Sequence, residues 1–384
     1  MRDTDHGGFH CDFDLAWNRL VLDPGVKSLE FQARTSAAFA RAANRWPGRG
    51  YDDAARQGLE FLARRMWDRD HGGFYTAVDR SGAPLEHGRK HVHGTLYAVG
   101  AFHEAIPIVG AEAKAWRDRG FDWLEQVAWD QRHGGYCGYF TREGRRLRVS
   151  DATTVPNDWL GTPTGLKDLN SVVDAVRLLS DLARDDGDAR YRDRLDWYVR
   201  LIVERLLGPT GLLPDLYADD WTPVPDVIRA GQGFQLVPVL LAAGDALGRI
   251  DRIGGVAAAL AHRYQDHFAH DEGGFVFARS LSKYPIRGHH VGVPERTWWI
   301  HIEACRGFLD LARRGIEPDH FLAAFDTTWA LVESRLIDGQ RRGFYESVEA
   351  GLAATGRKGE PWKDPSHEVH MLLDALNWLG RPSR

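Results

Sequence analysis

Histidine and tryptophan are the residues of this chain best suited to chemistry, with 17 and 14 copies in 384 residues. Imidazole takes up and releases protons near neutral pH. Tryptophan rings pack on the C–H faces of sugars, and polar side chains beside them bind the hydroxyls. Because a cavity lined by both types suits a carbohydrate, the composition favours sugar binding.

Seven segments combine such side chains with a predicted helix start or a loop. In a ring of helical hairpins, these starts converge at the mouth of the cavity. The segments are 30–34 with Arg34; 90–97 with His91, His93 and Tyr97; 157–160 with Asp158; 167–175 with Asn170; 230–235 with Gln232; 288–303 with His289, His290, Trp298, Trp299 and Glu303; and 362–370 with His367 and His370.

Two of these segments contain residues that could be drawn as metal ligands. One set is His289 and His290 with Glu295, and the other is His367 with His370. Their spacing matches no tight helical ligand motif. We therefore expect no metal site, and no cofactor is predicted.

A glycine–glycine–aromatic phrase recurs along the chain and predicts the architecture. In four copies the second glycine is Gly8, Gly73, Gly135 or Gly274. A fifth, degenerate copy has the single glycine Gly343. The steps are 65, 62, 139 and 69 residues, and 139 is about twice the others. A degenerate copy is therefore expected near residue 205, where 208–213 fits. Six copies of one unit make an internal repeat.

Between the copies, apolar residues recur with the period of a helix. Six units of two helices predict an all-α fold, the (α/α)6 barrel, as a single domain over residues 1–384. An open superhelix of helical hairpins is the rival architecture. The apolar series are Ala55, Leu59, Leu62, Ala63 and Met66, and Trp298, Ile302, Cys305, Leu309 and Ala312.

Charge and hydropathy exclude several classes of protein. The 49 basic and 54 acidic residues are well mixed, so no nucleic-acid surface is predicted. No apolar run approaches 18 residues, and the N-terminus lacks the apolar segment of a signal peptide. A cytoplasmic protein is therefore expected. The three widely spaced cysteines suggest neither disulfides nor zinc. The oligomeric state stays open.

The chain resembles the N-acylglucosamine 2-epimerase superfamily over nearly its whole length. The resemblance rests on Gln32-Ala33-Arg34, the repeated turns, Trp298-Trp299 with Glu303, and Trp362-Lys363 followed by His367. It implies an (α/α)6 barrel that acts on free reducing sugars without a metal. The superfamily includes cellobiose 2-epimerases, mannose isomerase and sulfoquinovose isomerase.

The resemblance also implies a mechanism. One histidine removes the proton beside the sugar carbonyl, a cis-enediol or enediolate forms, and a proton returns to the same or the neighbouring carbon. His367 corresponds to the C-terminal catalytic histidine of the family, with Glu303 as a further catalytic residue. Arg34 would hold the developing oxyanion. His93, Tyr97, Asn170, Gln232, Trp298 and His290 are expected to bind the substrate. Arg34, His93, Trp298 and His367 are expected to line one cavity.

The chain departs from the family pattern at two histidines. The family phrase Asn-x-x-x-His is matched by 170–175, and the phrase Gly-His-x-x-Glu by 231–235, where Gln232 and Gln235 stand. An amide does not titrate near neutral pH and cannot act as a base.

Two other functions stay open. A hydrolase or lyase on the same ring would need two of the carboxylates Asp158, Asp174, Asp219, Asp220 and Glu303. A sugar-binding relative without catalysis would need only tryptophans and amides in the cavity.

Overall fold

The computed structural model of the protein describes residues 1–21, 25–149, 164–224, 227–280, 292–293, 295–348 and 356–380. These residues form a helical architecture in which only two- and three-residue strands occur. Asp158, His289 and His290 lie outside the described residues. Among the described helices, none combines the length and the apolar character that a membrane span needs.

Twelve α-helices are present in the described parts of the chain, and four of them continue into a five-residue π-helical turn. The α-helices are α1 (Leu29–Arg45), α2 (Tyr51–Phe61), α3 (Val92–Glu104), α4 (Ile106–Val109), α5 (Ala111–Trp123), α6 (Leu169–Asp185), α7 (Ala189–Leu201), α8 (Ala230–Leu247), α9 (Ile250–Phe268), α10 (Trp298–Arg313), α11 (Pro318–Leu331) and α12 (Ser366–Leu379). The π-helical turns are Leu62–Met66, Leu124–Ala128, Ile202–Leu206 and Val332–Leu336.

The strands are short and lie beside the helix starts. They are β1 (Lys27–Ser28), β2 (Ala77–Val78), β3 (Lys90–His91), β4 (Tyr139–Phe140), β5 (Lys167–Asp168), β6 (Leu216–Tyr217), β7 (Val227–Arg229), β8 (Ala278–Ser280), β9 (Gly292–Val293), β10 (Arg296–Thr297) and β11 (Ser347–Val348). Strands β1, β3 and β10 pair antiparallel with β2, β4 and β11, and β8 pairs antiparallel with both β7 and β9. Each pairing fixes the point at which the next helix begins.

The chain divides into two compact units. Unit 1 comprises Met1–Asp174, Ala218–Asp220 and Gly359–Ser366, and unit 2 comprises Ala175–Tyr217, Trp221–Lys358 and His367–Arg384. That the repeats form a single domain over residues 1–384 stays a prediction.

In unit 1, α1 packs against α2 and α3, and α3 packs against α5. The apolar face predicted between 55 and 66 is buried, and it joins Leu29, Phe74 and Phe102 in one core cluster. Burying each large apolar side chain contributes roughly 1.5–3 kcal/mol. The cluster holds the start of α1, and therefore Arg34, in place.

In unit 2, α8 packs against α9 and α10, and α10 packs against α11. Nearly every residue of α8 is buried, which is typical of a helix surrounded by protein. Trp298, Ile302 and Cys305 of the predicted α10 face are buried in a second cluster with Met371, and Leu309 of that face is half-buried. The start of α10 is thereby fixed.

The repeated phrase forms equivalent turns, the first before α1 and the later ones after helices. The second glycines have positive φ, for example +77° at Gly73, and the aromatic residue that follows is buried. A Cβ atom on Gly73 would lie 2.6 Å from the Trp123 ring, so only glycine fits there. The degenerate copy is a turn as well, since Gly211 has a φ of +65° and donates to the Leu207 carbonyl. The repeat prediction is confirmed.

Each of four copies also carries a buried lysine–aspartate pair that the sequence reasoning missed. In three of them the lysine lies two residues before a helix, as Lys90 does before α3. The aspartate accepts backbone N–H groups of its own turn, as Asp68 does from Asp70 and His71. The pairs therefore fasten each turn to a neighbouring segment. They are Asp3–Lys27 at 2.9 Å, Asp68–Lys90 at 3.2 Å, Asp130–Lys167 at 2.9 Å and Asp338–Lys358 at 2.8 Å.

Candidate active site

His367 forms a buried pair with Glu303 in unit 2. His367 lies in the first turn of α12, and Glu303 lies in the second turn of α10. The distance from His367 Nδ1 to Glu303 Oε1 is 2.7 Å, and the two residues are 7% and 1% exposed. A carboxylate on Nδ1 fixes the orientation of the ring, so that Nε2 is the nitrogen that can exchange a proton with a ligand.

Glu303 is an anion in this environment. Burial alone would raise the pKa of Glu303, but the hydrogen bond from His367 and the positive charges of His367 and Arg306 lower it below its usual range. Arg306 NH1 lies 3.7 Å from Glu303 Oε2. The charged carboxylate would stabilise an imidazolium at His367.

Two tryptophans at the start of α10 differ in their surroundings. Trp298 is buried in the apolar cluster, and its ring centroid lies 6.4 Å from that of His367. Trp299 is half-buried, and its ring lies closer, at 5.4 Å. A Cβ atom on Gly231 would fall 1.9 Å from the Trp299 ring, so the glycine of α8 lets that ring approach. Trp298 as a substrate contact stays a prediction, and Trp299 was missed.

The two glutamines of α8 are buried in unit 2. Gln232 is 5% exposed and Gln235 is 7% exposed, one turn apart near the start of the helix. Neither can titrate near neutral pH. Gln232 as a substrate-binding residue stays a prediction.

Arg34 is buried in unit 1 and is held by the segment that precedes α12. Its Nε donates to Ser366 Oγ at 3.0 Å, and its NH1 lies 3.2 Å from Asp364 Oδ2. The guanidinium stands over the Tyr97 ring at 4.7 Å. Burial alone would lower the pKa of Arg34, but the charges of Asp364 and of other nearby acidic groups together raise it, so the cation is permanent. Ser366 directly precedes His367 in the chain.

A chain of four buried titratable side chains lies beside Arg34 in unit 1. His93 Nε2 is 2.8 Å from Asp174 Oδ2, and His93 Nδ1 is 3.9 Å from Glu30 Oε1. Glu30 also pairs with His91 Nδ1 at 3.1 Å. His91 stacks on Tyr139 with centroids 4.1 Å apart. Glu30 was not predicted as a site residue, and Asp174 was considered only as a carboxylate for hydrolysis.

Tyr97 and Trp362 surround His93. The Tyr97 ring meets the His93 ring edge-on at 5.1 Å, and the Trp362 ring lies 6.3 Å from it. The structure therefore brings together Arg34, His93 and Tyr97. That Arg34, His93, Trp298 and His367 line one cavity stays a prediction. Asn170 is half-buried in the first turn of α6. His290 lies outside the described residues. The roles of Tyr97, Asn170 and His290 in binding stay predictions.

Gln32, which carries the resemblance together with Arg34, is a structural residue. Its Oε1 accepts from the Phe9 amide and its Nε2 donates to the Phe9 carbonyl, both at 2.8 Å. His301 holds the Phe275 amide in the same way, through Nε2 at 2.9 Å. Burial lowers the pKa of His301 to about 4, so this histidine is neutral.

Two groups of three side chains in the described chain could hold a metal ion. Glu30, His91 and His93 are buried, with one ligand atom of each within 4.8 Å of the others, and Asp3, Asp5 and His6 form the other group. Neither group contains His367 or His370. Of the other set that could be drawn as ligands, His289 and His290 lie outside the described residues, and Glu295 belongs to neither group.

Comparison with known proteins shows which sequences this chain is similar to. The family profile described as N-acylglucosamine 2-epimerase (GlcNAc 2-epimerase) matches residues 7–154. A cellobiose 2-epimerase from Bacteroides fragilis is 24% identical over 387 residues, which cover 98% of this chain and 93% of the relative. The chain is thus similar to this family over residues 7–154 and to cellobiose 2-epimerases over nearly its whole length.

Solved structures of the superfamily share the fold. The cellobiose 2-epimerase of Bacillus thermoamylovorans superposes with a TM-score of 0.85 at 22% identity, covering 98% of this chain and 94% of that one. A D-mannose isomerase superposes with a TM-score of 0.83 at 19% identity, covering 98% and 92%. The predicted fold class, the (α/α)6 barrel, is confirmed.

Three of the five carboxylates considered for hydrolysis are paired with a histidine or an arginine. Asp174 and Glu303 are bound to histidines, and Asp219 is bound to Arg146. Asp158 lies outside the described residues. Hydrolysis needs one carboxyl group to act as acid and another as base or nucleophile. Carboxylates that orient imidazoles favour proton transfer by histidine instead.

Proposed function

We propose that the protein is a sugar isomerase or 2-epimerase that acts on a free reducing sugar through a cis-enediol or enediolate. The observation that carries this proposal is the 2.7 Å contact between His367 and Glu303, both buried. This histidine matches the C-terminal catalytic histidine of the superfamily. The relatives named above are sugar epimerases or isomerases, which supports the same class of reaction.

In the proposed reaction, His367 Nε2 removes the proton from the carbon beside the carbonyl. The electron pair of the C–H bond forms the carbon–carbon double bond of the enediolate, and the carbonyl oxygen becomes an oxyanion. Arg34 stabilises that oxyanion, since a fixed cation in a buried site acts strongly on developing charge. Return of a proton to the same carbon gives a 2-epimer, and return to the neighbouring carbon gives the aldose or ketose isomer.

Glu303 acts through His367 and does not touch the substrate in this scheme. It holds the Nδ1 proton and stabilises the imidazolium that forms during proton removal. Trp299 and Tyr97 offer aromatic faces to a sugar ring, and we assign Trp298, His93, Asn170, Gln232 and His290 to binding. The proposal includes a cytoplasmic location and a neutral sugar, with mannose and cellobiose among the substrates to test first.

The test is proton NMR of a panel of reducing sugars in deuterated water with the full-length protein. We expect one or more sugars to be converted, with deuterium entering at the carbon beside the carbonyl. Hydrolysis of a glycoside without such exchange would favour a hydrolase. Binding of a sugar without conversion or exchange would favour a non-catalytic relative.

A further inference from the structure

Unit 1 contains a buried cluster of one carboxylate and two imidazoles that take no part in the proposed proton transfer. Glu30 lies in the first turn of α1, His91 lies in β3, and His93 lies in the first turn of α3. They are 0%, 1% and 5% exposed, and one ligand atom of each lies within 4.8 Å of the others. The packing of α1 against α3 creates the cluster, so spacing along the sequence could not predict it.

The distances within the cluster suit a shared metal ion. Oε1 of Glu30 is 3.1 Å from Nδ1 of His91 and 3.9 Å from Nδ1 of His93. Zinc binds imidazole nitrogen at about 2.0–2.1 Å and carboxylate oxygen at about 2.0–2.2 Å, so two ligand atoms of one ion are at most about 4.2 Å apart. Both distances lie below that limit. We propose that Glu30, His91 and His93 bind a divalent transition-metal ion, with zinc the first to test.

Asp174, which also belongs to unit 1, orients His93 as a metal ligand needs to be oriented. Nε2 of His93 is 2.8 Å from Oδ2 of Asp174, and Asp174 is 2% exposed. A histidine that binds a metal through one ring nitrogen usually donates the N–H of the other to a carboxylate or carbonyl, which fixes the tautomer and the ring orientation. With Asp174 on Nε2, the lone pair of His93 is on Nδ1, the nitrogen that lies on the side of Glu30.

Glu30 supplies negative charge to the cluster. Among the residues that the structure describes, only His91 and His93 lie within ion-pair distance of its carboxylate. Its Oε2 is buried, and no described group donates a hydrogen bond to that atom. The cation of Arg34 is paired with Asp364 at 3.2 Å. Because a buried carboxylate oxygen without a partner is unfavourable, a cation bound by Glu30 would stabilise it.

The ligand set determines the class of metal. Two imidazoles and one carboxylate suit zinc or divalent iron, whereas magnesium and calcium prefer oxygen ligands. Three protein ligands leave at least one coordination position for water or for a hydroxyl group of a ligand. Since the ion and Asp174 would engage both ring nitrogens of His93, this histidine would contact a ligand only through the ion.

The experiment measures the metal content and the thermal midpoint of the untagged full-length protein. The protein is stripped with a chelator and incubated separately with zinc, divalent iron without oxygen, or magnesium, and bound metal per chain is then measured by mass spectrometry. The variants are Glu30→Gln, His93→Gln and Asp174→Asn. One control is His103→Gln, a half-buried histidine of the same helix as His93, and the other is His6→Gln in the second possible ligand group. Circular dichroism checks that all variants are folded.

We expect the parent protein to bind one zinc or iron ion per chain and no magnesium. The bound ion should raise the thermal midpoint, because a ligand that binds only the folded state stabilises it. Glu30→Gln and His93→Gln should lose both the stoichiometric ion and the rise in midpoint. Asp174→Asn should bind the ion roughly 10–100-fold more weakly, as loss of an outer-shell carboxylate does. His103→Gln and His6→Gln should match the parent.

Three results would overturn the inference. A parent protein that binds neither zinc nor iron in stoichiometric amount would show that the cluster is only hydrogen-bonded. An ion that His93→Gln retains, or that His6→Gln loses, would assign the metal to another place. Unchanged affinity in Asp174→Asn would contradict the positioning role of Asp174. No sugar enters this experiment, so its failure leaves the proposed function standing, and a protein without sugar turnover would leave the metal site standing.

Discussion

Lysine–aspartate and histidine–carboxylate pairs are both buried in the described parts of the chain, and they are distributed differently. Lysine–aspartate pairs recur at the same place in four copies of the repeat, with N–O distances of 2.8–3.2 Å. The histidine–carboxylate pairs His93–Asp174 and His367–Glu303 do not follow the repeat, and they use different ring nitrogens. Repeated pairs are what a repeated architecture requires, whereas single pairs need another explanation.

The chemistry of the lysine–aspartate and histidine–carboxylate pairs agrees with their different distribution. A lysine ammonium held by a carboxylate and a backbone carbonyl is a fixed cation that fastens a turn. An imidazole beside a carboxylate can change its charge near neutral pH. We therefore expect substitutions in the first kind to affect stability and substitutions in the second kind to affect turnover. The predictions below test that separation.

The largest effect is expected at His367. His367→Ala removes the proposed base, so turnover of the sugar should fall by roughly 10²–10⁴-fold. The free energy of unfolding should change little by comparison. The measurement is the rate of product formation by NMR at equal concentrations of folded protein. The exposed histidine His71 provides the control His71→Ala, and full activity of His367→Ala would disprove proton transfer by this residue.

Lys90 tests the repeated pairs. Both side chains of the Lys90–Asp68 pair are fully buried, so Lys90→Met leaves a buried carboxylate without this ammonium. The free energy of unfolding should fall by about 3–5 kcal/mol, as measured when one partner of a buried pair is removed. Urea denaturation at neutral pH measures it.

The matched control for Lys90 is Lys114→Met. Lys114 forms an exposed pair with Asp118 on α5, and such pairs contribute only about 0.3–0.5 kcal/mol. Equal losses in the two variants would mean that the buried pairs do not fasten the repeat.

Arg34 shares features of both kinds of residue, since it is buried and paired but is assigned to the oxyanion. Arg34→Ala should lower turnover by about 10²–10³-fold, the usual effect of losing an oxyanion donor. Steady-state kinetics should show most of the loss in kcat, because the charge on oxygen develops during the reaction. A loss confined to KM would instead make Arg34 a binding residue.

Acid should weaken the repeated pairs first. Burial alone would raise the pKa of Asp3, but the hydrogen bonds with Lys27 and the His6 amide, together with the charge of Lys27, lower it from 3.8 to about 2. A carboxyl with a lower pKa in the folded state contributes stability above its unfolded pKa and loses it as pH falls. The urea midpoint should therefore decline between about pH 4 and pH 2, and Lys27→Met should flatten that decline. A midpoint that rises in this range would contradict the assignment.

The smallest effect is expected at Gln232. Gln232→Ala removes an amide that can orient a sugar but cannot transfer a proton, so turnover should fall by less than roughly 10-fold. The same NMR assay measures it. A loss as large as that of His367→Ala would make Gln232 part of the proton-transfer machinery.

The sequence was sufficient to predict the architecture because paired glycines mark the copies of the repeat. Glycines with positive φ cannot be replaced cheaply, so the phrase persists where other residues vary. The aspartate of the lysine pairs was overlooked, although Asp3, Asp68, Asp130 and Asp338 each lie five residues before the last glycine of the phrase. A longer comparison window would have found it.

The candidate site was only partly predictable. His367, Glu303 and Arg34 were named from motifs, and the structure shows that His367 and Glu303 are hydrogen-bonded. Glu30 and Asp174 could not be found in this way, because their partners His91 and His93 lie far away in the chain. Gln32 is the opposite case. The resemblance rests partly on this residue, but in the structure its side chain holds the backbone at Phe9.

The carboxylate of Asp364 connects the start of α12 to the guanidinium of Arg34. Asp364 Oδ1 accepts the Ser366 amide at 2.8 Å, Oδ2 meets Arg34, and Arg34 in turn donates to Ser366. These three contacts close a ring at the first turn of α12, the turn that carries His367. Fraying of a single helical turn would therefore misplace both the cation and the imidazole. On warming, the protein would therefore lose activity before its barrel unfolded.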